Sequence, residues 1–162
     1  MSETEFKCSK CGYCCRTLFA YFGVVIMGLS LTKNETCLFD KKYIFPHMAI
    51  GTKEPTEVIM YQLALAKCPH LNEKNECLIY EKRPLACQCY PVDANPMSIS
   101  VSEDCPQAVL LKGESYVTEA QVKKNEYIFN AYRRFPDKNF KMWFFDLATR
   151  KWLLADKIKK YF

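Results

Sequence analysis

Cys8-Ser-Lys-Cys11-Gly-Tyr-Cys14-Cys15 places four sulfurs within eight residues, two residues apart and then adjacent. A C-x2-C turn aims two thiolates at one ion, and Gly12 after Cys11 supplies the positive φ that such a knuckle uses. Cys14 extends the pattern to C-x2-C-x2-C, the opening of the bacterial iron–sulfur run, which would continue with three residues before a fourth cysteine. Here Cys15 follows at once. Thiols this dense point to metal or cluster ligation.

Working outward, the 162 residues suit one domain over 1–162 with a real core, and 49% apolar with 14% aromatic residues excludes disorder. Met1-Ser-Glu-Thr-Glu is acidic and polar where a signal peptide needs a basic n-region and an apolar h-region. The apolar run Leu18–Leu31 is interrupted by Gly23, Gly28 and Ser30 and is too short for a bilayer. A cytoplasmic protein without membrane partners is expected. Ten cysteines in a reducing compartment favour metal over a disulfide framework, and adjacent Cys14 and Cys15 would strain a bond between them.

The formal charge of +5 counts thiols as neutral. Four thiolates around Zn²⁺ or a [4Fe–4S]²⁺ core leave a site of −2, so one site lowers the total to +3 and two lower it to +1. The lysines are spread, with Lys157, Lys159 and Lys160 the densest group. A solvated helix face explains that group better than a nucleic-acid patch.

Thr17–Ile26, rich in β-branched and aromatic residues, reads as one strand behind the site. Thr32-Lys-Asn-Glu35 is a capping-box pattern opening a short helix through Cys37, Leu38 and Tyr43 that stops before Pro46. Gly51–Pro55 is a loop, and Val58–Leu65 is a strand in preference to a short helix. Asn72–Asn75 is a tight polar turn pairing Cys68 with Cys77 as a hairpin. Pro84 keeps Arg83 extended and then begins a helical turn toward Cys87. Proline follows Cys68 and Cys105, as it follows a ligand in bacterial ferredoxins.

Further on, Met97–Val101 alternates like a short strand. Thr118-Glu-Ala-Gln121 is a second capping box, opening a helix with Val122, Tyr127, Ile128, Ala131 and Tyr132 inward and Pro136 as its stop. From Phe140 to Phe162 one helix competes with a hairpin over 142–154, turning at Leu147–Arg150 and followed by a short helix. Two separate aromatic runs favour the hairpin. These elements predict an α+β fold, a small irregular metal-stapled domain with short antiparallel strands and a few helices, its cysteine half at 8–15 plus 68–105 and its helical or hairpin part at 118–162.

Cys8-x2-Cys11-Gly-x-Cys14-Cys15, the cysteine hairpin, Cys77-x-Ile-Tyr-Glu-x-Arg-Pro-x-x-Cys87 and Tyr90-Pro91 together resemble the CxxCxxCC family of zinc- or iron-chelating proteins. The cysteine-rich part of flagellin lysine N-methylase is similar. The resemblance spans Cys8 to about Cys105 and implies metal binding, with the recurring cysteines falling on Cys8, Cys11, Cys14, Cys15, Cys68, Cys77 and Cys87, and Cys105 as a further match. Those eight are the expected metal ligands. Cys37 and Cys89 are extras, assigned to the core.

An iron–sulfur cluster is favoured over zinc, because a cubane tolerates irregular ligand spacing and a second C-x2-C is missing. His47, after a proline in an apolar loop, and His70 read as structural. Arg16 and Arg83 are candidate sources of charge beside the thiolates. No dinucleotide-binding, P-loop, serine-hydrolase or zincin signature appears, so no reaction is assigned. The expected role is electron transfer, or assistance to a modifying reaction, with an unidentified protein or redox partner. A zinc-stapled binding module is the alternative, and a dithiol redox site at Cys11-Gly-Tyr-Cys14 a third reading.

Overall fold

Apolar, β-branched and aromatic residues dominate the stretch from Ala20 to Leu63, and the computed structural model, which describes residues 8–95, 98–108 and 118–158, resolves it into five strands. A single helical turn, α1 (Tyr13–Arg16), precedes β1 (Ala20–Phe22), β2 (Val25–Met27), β3 (Leu29–Leu31), β4 (Ile44–Gly51) and β5 (Glu57–Leu63). After the cysteine hairpin come α2 (Leu85–Cys89), β6 (Val92–Asn95), β7 (Ser98–Val101), α3 (Glu119–Arg134), β8 (Lys141–Asp146), β9 (Lys151–Leu154) and α4 (Ala155–Ile158). The fold is α+β, with every strand pair antiparallel. A five-stranded sheet runs in the order β3-β5-β4-β8-β9, beside the two ribbons β1-β2 and β6-β7. Among the described residues no helix is long and apolar enough to cross a membrane.

Local signals carry most of these elements. Thr118 and Gln121 close the expected capping box, and the buried Gln121 side chain also reaches the Val92 carbonyl at 3.1 Å, tying α3 to β6. The buried positions of α3 include Ala120, Lys124, Ile128 and Ala131, a single stripe, which leaves Val122 exposed rather than inward. The hairpin over 141–154 forms as read, with Arg150 at φ 58 closing its turn. Met97 and the lysines at 159 and 160 lie outside the described residues, as does the acidic N-terminal segment 1–5.

Three expectations fail for physical reasons. The single strand over 17–26 is a hairpin, because Gly23, at φ 62, takes the first position of a two-residue turn between Phe22 and Val25. The helix from Thr32 becomes two 3-10 turns, Lys33–Leu38 and Lys41–Tyr43, although the Thr32–Glu35 capping box is present. Asp40 restarts the chain by accepting the Lys42 N–H at 3.1 Å. Pro46 ends no helix but lies inside β4, and His47 is a strand residue edge-on to Phe144. The register slips between Pro46 and Met48, and β8 joins β4 only from Met48 onward, so no ladder bond needs the N–H that proline lacks.

The larger core lies where β2, β4, β5 and β8 meet α3 and α4, around Met27, Ile50, Ile59, Ile128, Phe144 and Ile158. Two buried polar side chains lock its edges. Gln62 donates to the carbonyls of Pro46 (2.7 Å) and Phe145 (3.0 Å) and accepts from the Gly28 N–H (2.7 Å), binding together three strands and the link before β3. Asp146 accepts from the backbone of Ile26, Ala148 and Thr149 and from the Thr149 hydroxyl at 2.6 Å.

Burial pushes the Asp146 pKa up, but the donors around it prevail and hold it below the usual carboxylate value. A depressed folded pKa stabilises the fold above the unfolded value of about 3.9 and loses that contribution as pH falls through the folded one. Urea midpoints of the wild type should therefore drop more steeply below pH ~4 than those of Asp146→Asn. At pH 7 the variant should be less stable by about 1–3 kcal/mol.

Candidate metal centre

The N-terminal knuckle is shaped by two left-handed residues, Lys10 at φ 54 and Gly12 at φ 73. The Lys10 N–H donates to Cys8 Sγ at 3.4 Å. Gly12 caps α1, whose single turn carries Cys14 and Cys15. A Cβ on Gly12 would lie 3.1 Å from the Asn75 Cβ, so the knuckle packs directly on the polar turn of the second cysteine segment. Arg16 reinforces that seam by donating to the Cys11 carbonyl at 3.3 Å and to Asn75 Oδ1.

The 72–75 turn is formed, but the residue paired with Cys77 is Leu71, three positions past Cys68. Asn72 Oδ1 accepts from the N–H groups of Lys74 and Glu76, and Asn75 takes φ 65. The two segments also join through their backbones, Cys68 N–H donating to the Cys15 carbonyl at 2.7 Å and Leu18 N–H to Ala66 at 2.9 Å. Cys68 is buried with Leu31, Phe39, Leu63 and Leu71, and Cys15 packs on that second apolar cluster.

Cys87 arrives on α2, with Pro84 at its head as read from the sequence. Glu35, besides closing its own capping box, accepts the Leu85 N–H at 2.7 Å and so fixes the start of α2. Cys105 is buried in a turn whose Ser102 bonds the Pro91 carbonyl and the Tyr90 hydroxyl. Cys89 is buried as expected, but Cys37 is exposed, its thiol turned to the Asn34 carbonyl at 3.0 Å. A 3-10 turn repeats every three residues, and that shorter period leaves Cys37 facing outward. His70 Nε2 is engaged by the Leu38 carbonyl at 2.7 Å, which occupies it away from the thiols.

The thiols act on one another electrostatically. A hydrogen bond with Cys15 lowers the Cys14 pKa against burial and the charges of Cys87, Cys8 and Cys11. The same bond, then burial and the charge of Cys14, push Cys15 far up, with Arg16 and Arg83 opposing. Burial raises Cys87, helped by Cys15, Cys68 and Cys77, and burial likewise leads the rise at Cys68. Burial also raises Tyr90, which feels both Cys105 and Cys14. Thiol charges thus couple Cys14 to Cys8, Cys11 and Cys87, and Cys87 to Cys15, Cys68 and Cys77, in one electrostatic basin, while Tyr90 feels Cys105 as well as Cys14.

All ten cysteines are free thiols. Among the described residues no three Cys, His, Asp or Glu side chains stand close enough to grip an ion as they are. Ligation requires rotation of the thiols, which exposed Cys8 and Cys11 are free to make. The donor set itself is sulfur-only, which suits zinc or iron–sulfur centres and excludes the hard cations.

A family model, CxxCxxCC, described as "Putative zinc- or iron-chelating domain", matches residues 7–106. The chain belongs to this family. The CxxCxxCC match covers every thiol of the basin and supports metal binding by the chain. No curated protein and no solved structure matches the chain.

Glu35, Asn75 and Tyr80, which enter the sequence reading as capping, turn and motif residues, also shape the site. Asn75 and Glu35 act through bonds to distant partners, and Tyr80 lies under two cations, the Arg83 guanidinium at 3.8 Å and Lys10 Nζ at 5.2 Å from the ring centroid. Because Glu35 serves two N–H groups, Glu35→Ala should cost about 1–2 kcal/mol in urea unfolding, and Glu35→Gln, which keeps one acceptor oxygen, about half as much.

Proposed function

We propose that the protein carries an iron–sulfur cluster on thiolates drawn from Cys8, Cys11, Cys14, Cys15, Cys68, Cys77, Cys87 and Cys105, and that it serves electron transfer or assists a modifying reaction in the cytoplasm. The observation that carries this reading is the direct packing of the two cysteine segments, with Cys68 N–H on the Cys15 carbonyl at 2.7 Å and Gly12 against Asn75. Burial and neighbouring thiol charges push Cys68 and Cys87 up, and Cys15 rises with them through its bond to Cys14, so ionising several together calls for a cation among them. The candidate thiols outnumber what one zinc ion takes, and the irregular spacing of Cys68, Cys77 and Cys87 suits a cubane.

A bound cluster supplies one-electron redox chemistry. The chain's own part is to hold and shield. Cys68 and Cys15 sit against the Leu31–Phe39–Leu63 cluster, which keeps water from that side. The Lys10 N–H relieves charge on Cys8 Sγ, and the charges of Arg16 and Arg83 reach Cys15. The partner is then a redox protein rather than nucleic acid or membrane, since bound thiolates reduce the net charge.

The C-x2-C knuckle with its N–H···S bond supports a second reading, a zinc staple without catalysis.

Anaerobic purification followed by metal and sulfide analysis and a visible spectrum separates the two. A brown protein with iron and labile sulfide is expected. A colourless protein with stoichiometric zinc removes the cluster, and one holding neither metal removes both readings. Cys87→Ser should reduce metal content at least several-fold, whereas Cys37→Ser, exposed and outside the basin, should leave it unchanged.

A further inference from the structure

Arg83 enters the basin with a hydrogen bond still to make. Its carbonyl accepts from Gln88 Nε2 at 2.7 Å, and Pro84 behind it heads α2, so its backbone is fixed. Its guanidinium lies over the Tyr80 ring, 3.8 Å from the centroid, which holds the head group in place. Its Nε is buried and has no hydrogen-bond partner among the described residues. A buried donor without an acceptor costs free energy as a lost hydrogen bond does, and arginine cannot relieve the cost by giving up its proton. An orphan of this kind calls for an acceptor beyond the described side chains, a water, an ion or a ligated group.

Arg83 immediately precedes Pro84, the N-cap of α2, whose third residue is Cys87, and both Cys15 and Cys87 feel its charge. A neutral thiol is a poor acceptor, whereas a metal-bound thiolate accepts charge-assisted N–H···S bonds. We propose that the Arg83 Nε–H is the donor to the metal-bound sulfur of Cys15 or Cys87, making Arg83 a positioning residue that Tyr80 holds in place. The inference rests on the thiolate reading above. On loading, Arg83 satisfies its buried N–H and offsets part of the thiolate charge in one contact. Lysine brings the charge but not the planar fork stacked on Tyr80.

Cobalt(II) titration of the metal-free full-length chain under reducing, anaerobic conditions tests this, read through the sulfur-to-cobalt charge-transfer band. A hydrogen bond to a thiolate lowers the energy of the sulfur lone pair and moves that band to higher energy. Arg83→Gln should bind cobalt about 10–100-fold more weakly and shift the band to lower energy. Arg83→Lys should recover part of the affinity. A wild type with the band and an Arg83→Gln variant identical to it in affinity and band position overturns the inference alone. A wild type that gives no such band overturns the thiolate reading and this inference with it. If circular dichroism shows Arg83→Gln unfolded, Tyr80→Leu makes the same comparison by releasing the guanidinium. A smaller shift in the same direction is expected there, and an unchanged band overturns the proposal.

Discussion

The site depends on one seam, the backbone hydrogen bonds by which residues 15–18 run against 66–68. Cys68 N–H to the Cys15 carbonyl, at 2.7 Å, is the closest of them. This seam decides whether the adjacent Cys14 and Cys15 face the second cysteine segment or solvent. It is possible because the sheet delivers β5 to Leu63 just before Ala66, and because α1 is a single turn that leaves the Cys15 carbonyl free to accept. Around it the contacts are polar and specific, with Arg16 on Asn75 and Gly12 against the same asparagine. Such contacts fix geometry more than they add stability.

The basin gathers more ionisable sulfur than its neighbours can neutralise. Arg16 and Arg83 reach Cys15 and Arg83 reaches Cys87, while the thiol charges around Cys87 act against its ionisation. Cys14 and Cys15 divide the burden unevenly, one hydrogen bond lowering the first and raising the second. Proteins keep such arrangements where an inorganic cation supplies the missing charge, and folding and metal binding are then coupled. The larger core between the sheet, α3 and α4 contains none of these cysteines.

Elements specified by near neighbours were legible in the sequence. The boxes at Thr32 and Thr118, the strand at 57–63, the polar turn at 72–75 and the hairpin after Phe140 each rest on residues a few positions apart. Legibility ended where tertiary context overruled a local rule. Pro46 reads as a stop, yet a slipped register and the reach of Gln62 accommodate it in β4. Gly23 looked like an interruption and is a turn. Cys37 looked like core and faces outward, because its helix is of the 3-10 kind. The eight thiols were visible as ligand types, but the bonds that aim them, Glu35 to Leu85 and Arg16 to Asn75, join residues far apart in the chain and leave no local pattern.

The claim that both cysteine segments hold one inorganic centre through sulfur is tested most directly by X-ray absorption at the metal edge of the anaerobically isolated protein. A first shell of sulfur alone at about 2.3 Å is expected, with no imidazole signature. A first shell dominated by nitrogen or oxygen would contradict the account.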